Sequence, residues 1–371
     1  MQGIETLHTG NRVRAGDRLR TGDGHGVVSG PMHGVSRGLP PQPGYRSTAF
    51  MHMRSQGAGG LWYACAMPDD ARFLLVDGHH LFHRTYNALP RSIVGTDGQP
   101  IQGAYGFVGA LLRLVRRFSP THVCVPFDPP VPPFRRELFP EYRTGRPRGS
   151  EAEVANFDAQ VDQVFLVLDH LGIAYPMVHG YEADDAIGTL AGTAAAAGLP
   201  TMIVSGDRDL LQLVRPGVEV FMPKGQEGET WTPELVRERW GVPPERFVDL
   251  KALIGDSSDR IPGVPGIGPR TAATLLAAHG NIDGIYAALH TLSAKQAALL
   301  EAHRERVMLN LRLVTIVTSL DLPVGVETYR WSAPDACTAS SLLAELGLRG
   351  TRPTVVQSGF ASLQAGGVAE G

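Results

Sequence analysis

Three apolar, β-branched runs in the chain each close on an aspartate: RFLLVD at residues 72–77, THVCVPFD at 121–128 and TMIVSGD at 201–207. Runs of this length, bounded by turn-forming residues, predict strands buried on both faces. Between them, apolar positions recur at helical spacing over 104–118, 157–172 and 183–198. Strand alternating with helix predicts an α/β fold with a parallel sheet. From 233 to 346 the strand signal fades, and short helical patterns broken by Gly and Pro predict a second, helical region. Residues 1–68 are rich in Gly with little periodicity until LWYACAM, and are expected to be a disordered extension. The expected organisation is therefore a core over 69–232, a helical region over 233–346 and a flexible tail over 347–371.

Composition narrows the class. A chain of 371 residues with 43% hydrophobic and 19% charged residues has the balance of a globular protein, and its formal net charge is −3. No apolar run reaches the roughly 18 residues that cross a bilayer, and the Arg-bearing start lacks a signal-peptide core. No membrane partner is expected, and a cytoplasmic monomer is the working expectation. Cys65, Cys124 and Cys337 form no CxxC, which excludes a disulfide framework and a zinc-thiolate site. No GxxxxGK[ST] or strand-linked GxGxxG is present, which disfavours triphosphate and dinucleotide binding.

The strand-terminal aspartates change the picture most. In an open parallel sheet ligands gather at the carboxyl ends of strands, so Asp77, Asp128 and Asp207 converge on one edge. GYEADDAIG adds Glu182, Asp184 and Asp185 at a helix start, SGDRD adds Asp209, and GDSSD adds Asp256 and Asp259 three residues apart. One Asp at a strand end is ordinarily a cap. Capping does not account for an acid at every strand exit together with two pairs spaced i,i+3. Nine carboxylates in one place repel one another unless cations neutralise them, and all-oxygen donors favour Mg²⁺ or Mn²⁺ over Zn²⁺. With those nine set aside, residues 69–350 are mildly basic. His79 and His80, beside Asp77, read as local packing residues.

Two further elements suit a polyanion. FRRELFPEYRTGRPR (134–148) interleaves Arg135, Arg136, Arg143, Arg146 and Arg148 with Phe134, Phe139 and Tyr142. Arginines hold phosphates and aromatic rings stack on unpaired bases, so the stretch fits a single-strand clamp, with a solvated loop as the alternative. IPGVPGIGPRTAATLLAAHG (261–280) is a Gly-Pro loop opening into a helix, where free N–H groups can meet a phosphate and Arg270 adds charge. A plain helical hairpin is its alternative reading.

Taken together, LLVDGHHLFHRTYNAL, FDPPVPPFRRELFPEYRTGRP, GYEADDAIGTLA, SGDRDLLQLV and LKALIGDSSDRIPGVPGIGPRTA closely resemble the 5′-nuclease domain of bacterial DNA polymerase I, within the flap endonuclease superfamily. The resemblance runs from about residue 72 to about 346. It implies a PIN-like core with a helical arch (about 131–156) and a helix-three-turn-helix duplex-binding region. It also implies that all nine carboxylates are metal ligands for two Mg²⁺ ions, with Mn²⁺ as a substitute, and that Arg135 and Arg143 are the catalytic arch cations. Arg136, Tyr142, Arg146, Gly266, Gly268, Arg270 and Thr271 would join those two arginines in binding DNA, with a K⁺ ion at the hairpin. The implied activity is structure-specific 5′→3′ exonuclease and 5′-flap endonuclease action, on flaps or RNA-primed ends, in replication and repair. A separate DNA polymerase and ligase would complete the repair, since no polymerase region is seen in this chain. Lysine is rare, at positions 224, 251 and 295 only, so positions 143 and 270, commonly Lys in relatives, are Arg. Any role at 143 is then electrostatic, because Arg keeps its proton.

Two other readings stay open on the residues alone. A PIN-type ribonuclease would cluster acids in the same way but has no use for the duplex-gripping hairpin. A nonhydrolytic structure-specific DNA-binding protein gains nothing from nine carboxylates facing a polyanion.

Overall fold

The fold follows from how each run of residues starts and stops. The structure is a computed structural model and describes residues 71–145, 149–225, 227–322 and 325–332. The expected extension over 1–68, the tail from 347, Arg146 and Arg148 lie outside the described residues.

Strand β1 (Phe73–Val76) is buried on both faces and passes directly into α1 (Gly78–Ala88), because Asp77 is extended and its carboxylate accepts the His80 N–H, capping the helix. Helix α2 (Gln102–Phe118) ends at Ser119, and β2 (His122–Cys124) follows. β2 stops short of Asp128, since Pro126 has no N–H to extend the ladder. The arch stretch is the short α3 (Phe134–Leu138), a turn, and the start of α4 (Glu151–His170), which is launched by a Ser150–Glu153 capping box. Helix α5 (Ala183–Ala196) starts from a second box, made by Glu182 and Asp185. Then come β3 (Thr201–Val204), β4 (Val218–Lys224) and β5 (Glu227–Trp231).

The sheet runs β2-β1-β3-β4-β5, parallel except for the antiparallel edge strand β5. The sequence reading foresaw three of its strands. It passed over β4 and β5, whose alternating polar positions lack the continuous apolar run used to find the others. The strand order reverses direction between β1 and β3, which in an open α/β sheet is where the ligand crevice lies, outside the carboxyl ends of the strands.

The helical region is α6 (Pro233–Trp240), α7 (Phe247–Ile254), α8 (Pro269–His279), α9 (Ile282–Ala287), α10 (Ala294–Ala302) and α11 (Arg304–Val314). A small ribbon, β6 (Gly255–Asp256) with β7 (Ile261–Pro262), closes the GDSSD turn. One apolar core runs from Phe73, Leu75 and Ile203 on one sheet face, through Ile187 and Leu190, to Phe247, Leu253 and Leu276. Leu74, Val76 and Val204 face the other way, against α2 and α4. Packing is therefore continuous across residue 232. After α11 the chain returns to the sheet: Val317 N–H donates to Asp185 (2.8 Å), Tyr329 stacks on Phe73, and Trp331 N–H donates to the Thr121 carbonyl (2.9 Å).

Candidate active site

The crevice beyond β1 and β3 collects most of the acids, several of them held by backbone N–H groups at helix starts. Asp77 receives the His80 N–H on Oδ1 (2.9 Å) and the Ser205 hydroxyl on Oδ2 (2.7 Å). Burial, reinforced by the charges of Asp128 and Asp207, pushes its carboxyl up to about 7 despite those two hydrogen bonds. Asp128 crosses from the β2 side to accept the Ala183 N–H at the start of α5 (2.7 Å), which draws it to the same helix end. Asp184, in the first turn of α5, is raised well above the usual carboxylate range by burial and by the charges of Asp207 and Asp77. Asp207 caps the 3₁₀ turn at 208–213 by accepting the Asp209 N–H (2.9 Å).

Beside this group stand protein cations. Arg143 donates Nη1 to Glu182 and Nε to Asp259 (2.7 Å), and its Nη2 lies 3.9 Å from Asp207. It does so from a left-handed backbone, φ 50°, uncommon for a residue with a Cβ. Tyr142 Oη lies 2.9 Å from Glu182 and 3.2 Å from Asp259. Lys251 Nζ lies 2.7 Å from Asp209 Oδ1 and pairs with Asp256 Oδ2. Burial and Asp207 still hold Asp209 up at about 7. Asp256 is also partly buried, but bonds from Lys251 and Ser258 outweigh that and keep it below its usual range.

The expected residues thus divide. Asp77, Asp128, Glu182, Asp184 and Asp207 share the crevice. Asp209 and Asp256 meet at Lys251, and Asp259 is tied to Glu182 through Arg143 and Tyr142. Asp185 departs from the expectation of a ligand: it points inward and accepts from both terminal nitrogens of Arg135, the Glu182 N–H and the Val317 N–H, which occupies its lone pairs.

Arg135 departs likewise. It is 3% exposed, and its donors go to Asp185, Glu182 and the Leu313 and Thr315 carbonyls, so it braces the site rather than facing a ligand. Tyr142, expected to contact DNA, is 2% exposed and packs with Ile261, Leu313 and Val314. Arg136 is half-buried and bonds the Tyr142 carbonyl (3.3 Å). In the hairpin Gly266, Gly268 and Arg270 are exposed and Thr271 half-buried, while Val264 and Ile267 anchor the loop. Gly266 needs its φ of 79°, but Gly268 has φ −90° with open space where a Cβ would go. Nothing inside the protein requires glycine at 268; an outside group approaching the backbone would.

Sequence reasoning missed Ser205 and Lys251. Lys251 carried a signal, being one of three lysines in the chain. Ser205 carried none, since a serine after a strand is commonplace.

Among the described residues no three acidic or histidine side chains are drawn up into a ready-made cage. Arg143 and Lys251 offset part of the carboxylates' charge. The donor set remains all oxygen, and buried Asp77 and half-buried Asp184 stand among negative charges with no ion pair among the described residues. That chemistry fits a hard divalent ion.

Comparison with known proteins bears on the family and the fold. Residues 72–241 match the 5'-3' exonuclease N-terminal resolvase-like domain, and residues 242–337 match the 5'-3' exonuclease C-terminal SAM fold. The chain belongs to the 5'-3' exonuclease family. It is 41% identical over 276 residues to the thermostable DNA polymerase I of Thermus filiformis, covering 74% of this chain and 32% of that protein. It is 35% identical over 287 residues to DNA polymerase I of Streptococcus pneumoniae, covering 76% of this chain and 32% of that protein. This chain therefore spans about a third of the length of those two relatives. A solved structure of the bacteriophage T5 flap endonuclease, a pseudo-enzyme-product complex with DNA and metal ions, shares the fold at a TM-score of 0.56 and 21% identity over 79% of this chain and 98% of its own. A PIN-like α/β core followed by a SAM-like helical region is thus the architecture of this exonuclease family member.

Proposed function

We propose that this 5'-3' exonuclease hydrolyses DNA phosphodiester bonds at 5′ ends and at the base of 5′ flaps, in a reaction dependent on divalent metal. The observation that carries the reading is the meeting of acids at the β1/β3 switch point, where buried Asp77 and half-buried Asp184 stand among like charges and a cation would relieve them. Asp77, Asp128, Glu182, Asp184 and Asp207 would hold Mg²⁺, with Mn²⁺ as a substitute, and Asp209, Asp256 and Asp259 would support a second, looser ion. Two such ions, when bound, lower the pKa of water and neutralise charge on phosphate.

The chain's own residues do the rest. Arg143 keeps a fixed positive charge against Glu182 and Asp259, placed to offset charge gathering on a phosphate. Its proton stays in place: burial opposes the charge, but Glu182, Tyr142 and Asp259 hold its pKa above the ordinary value, so it does not act as an acid. Arg135 fixes Asp185 and Glu182 and thereby orients the start of α5. The exposed hairpin at 266–271 offers backbone N–H groups and Arg270 to duplex phosphates without reading bases. A K⁺ ion there, a monomeric state, cytoplasmic location and hand-over of nicks to a separate polymerase and ligase belong to the same proposal.

The experiment is cleavage of a labelled 5′-flap duplex, with single-stranded RNA alongside. Expected is cutting near the junction in Mg²⁺ that EDTA abolishes, with RNA spared. Cutting that survives EDTA, or a preference for RNA, overturns the reading.

A further inference from the structure

We propose that Ser205 is a positioning residue for this reaction: one buried hydroxyl ties the carboxylate of Asp77 to the backbone of Asp207 and so sets how the acids of two neighbouring strands face each other. The inference rests on the nuclease reading above and extends it to a neutral residue, the serine that opens the SGDRD stretch.

The geometry is specific. Ser205 follows β3 directly and is 1% exposed. Its own N–H donates to the Phe221 carbonyl (3.2 Å), while the Asp77 N–H donates to the Val204 carbonyl (3.0 Å), so its backbone is clamped between two neighbouring strands. From that place Oγ donates to Asp77 Oδ2 at 2.7 Å and accepts the Asp207 N–H at 3.0 Å. An ionised carboxylate only accepts, so the hydroxyl proton points to Asp77 and an oxygen lone pair to Asp207.

Two further contacts complete the frame. The His80 N–H takes Asp77 Oδ1, so each Asp77 oxygen has one protein donor and keeps capacity for another partner. The His80 ring lies against Gly206, where a Cβ would come within 2.4 Å of Nε2, and this contact presses the 205–207 loop onto α1. Asp77 and Asp207 repel each other, and the Ser205 bridge is the neutral link that holds them in register.

The test uses full-length Ser205→Ala, Ser205→Cys and Ser205→Thr beside the wild type. Four quantities are read: Mn²⁺ binding by calorimetry without DNA, flap-duplex binding in EDTA, melting temperature, and kcat and KM in Mg²⁺. Partners that orient metal ligands are typically worth about 10–100-fold, so Ala and Cys are expected to weaken Mn²⁺ by about that factor and to lower kcat, leaving KM and flap binding in EDTA unchanged. Thr, which keeps the hydroxyl, is expected to stay near the wild type.

Wild-type Mn²⁺ affinity in Ala or Cys overturns the proposal, as does a Thr variant as weak as Ala. A parallel fall in melting temperature and EDTA flap binding would mark Ser205 as merely structural. If the wild type itself binds no Mn²⁺, the metal-dependent reading fails and this proposal fails with it. If the wild type binds and Ala binds equally, only the role of Ser205 is lost.

Discussion

Asp77 is buried and Asp184 half-buried, both among like charges, and among the described residues neither makes an ion pair. Around Asp209 and Asp256, a few residues further along the same rim, the ammonium of Lys251 stands between the two acids. Both groups come from strand or helix ends, and both are oxygen-rich. The second group has a lysine that offsets part of its charge, enough to hold Asp256 below its usual range though not Asp209, and the first has no such partner. The unmet charge is the place where an added cation gains most, whereas at the second group a cation has to compete with a lysine already there. On the proposed metal-dependent reading, that difference would make one site tight and the other loose without any difference in ligand type.

The comparison can be broken most directly at Asp184. Asp184→Asn is expected to lower kcat by more than about 100-fold, since even the partners of metal ligands cost about 10–100-fold. The same change removes a buried like charge, so the metal-free protein is expected to melt higher. Lower kcat with a lower melting temperature would mean that Asp184 holds the fold rather than a cation.

Next comes Lys251→Met, which strands Asp209 and Asp256 without a counter-ion. Removing one partner of a buried ionic group costs about 3–5 kcal/mol, so a large fall in melting temperature is expected in EDTA, partly restored by Mn²⁺. An unchanged melting temperature would mean the lysine is dispensable there.

A gentler probe is pH. Asp77 and Asp209 stand at about 7 in the folded chain against an ordinary 3.8, so folding favours their protonated forms. That stabilisation is complete below the unfolded value and is lost as pH rises through the folded one. In EDTA the melting temperature is therefore expected to climb on acidification from about 8 to about 6, a trend that saturating Mn²⁺ should flatten or reverse, because it favours the ionised carboxylates. A melting temperature indifferent to pH in EDTA would contradict the unmet-charge picture.

The smallest effect is at the hairpin. Gly268→Ala meets open space at an ordinary φ, so its stability should change by less than about 0.5 kcal/mol while duplex binding weakens. Gly266→Ala, at φ 79°, should instead cost about 1–2 kcal/mol. Unaltered duplex affinity in Gly268→Ala would remove the hairpin from the interface.

Much of this was legible in the residues. The runs ending at Asp77, Asp128 and Asp207 announced a sheet edge bearing acids, and α2 and α5 appeared within a few residues of their periodic patterns. Strand β5 was not legible, because an edge strand with one wet face lacks the continuous apolar run that marks a central one. Arg135 was read as facing a ligand because an Arg beside aromatics in a loop has the composition of a clamp. Composition carries no information on whether the guanidinium turns outward or, as here, back onto Asp185.

The sequence by itself determined the fold class, the rim on which the acids gather and the kind of cation their oxygens would take, because strand periodicity and ligand chemistry are local properties of side chains. Tertiary structure alone decided which acids are left uncompensated. Asp185 meets Arg135, Asp209 meets Lys251, and Asp77 is bridged by Ser205 through contacts between residues roughly 40 to 130 positions apart. Charge compensation depends on distance and burial, and neither exists until those distant segments are packed together.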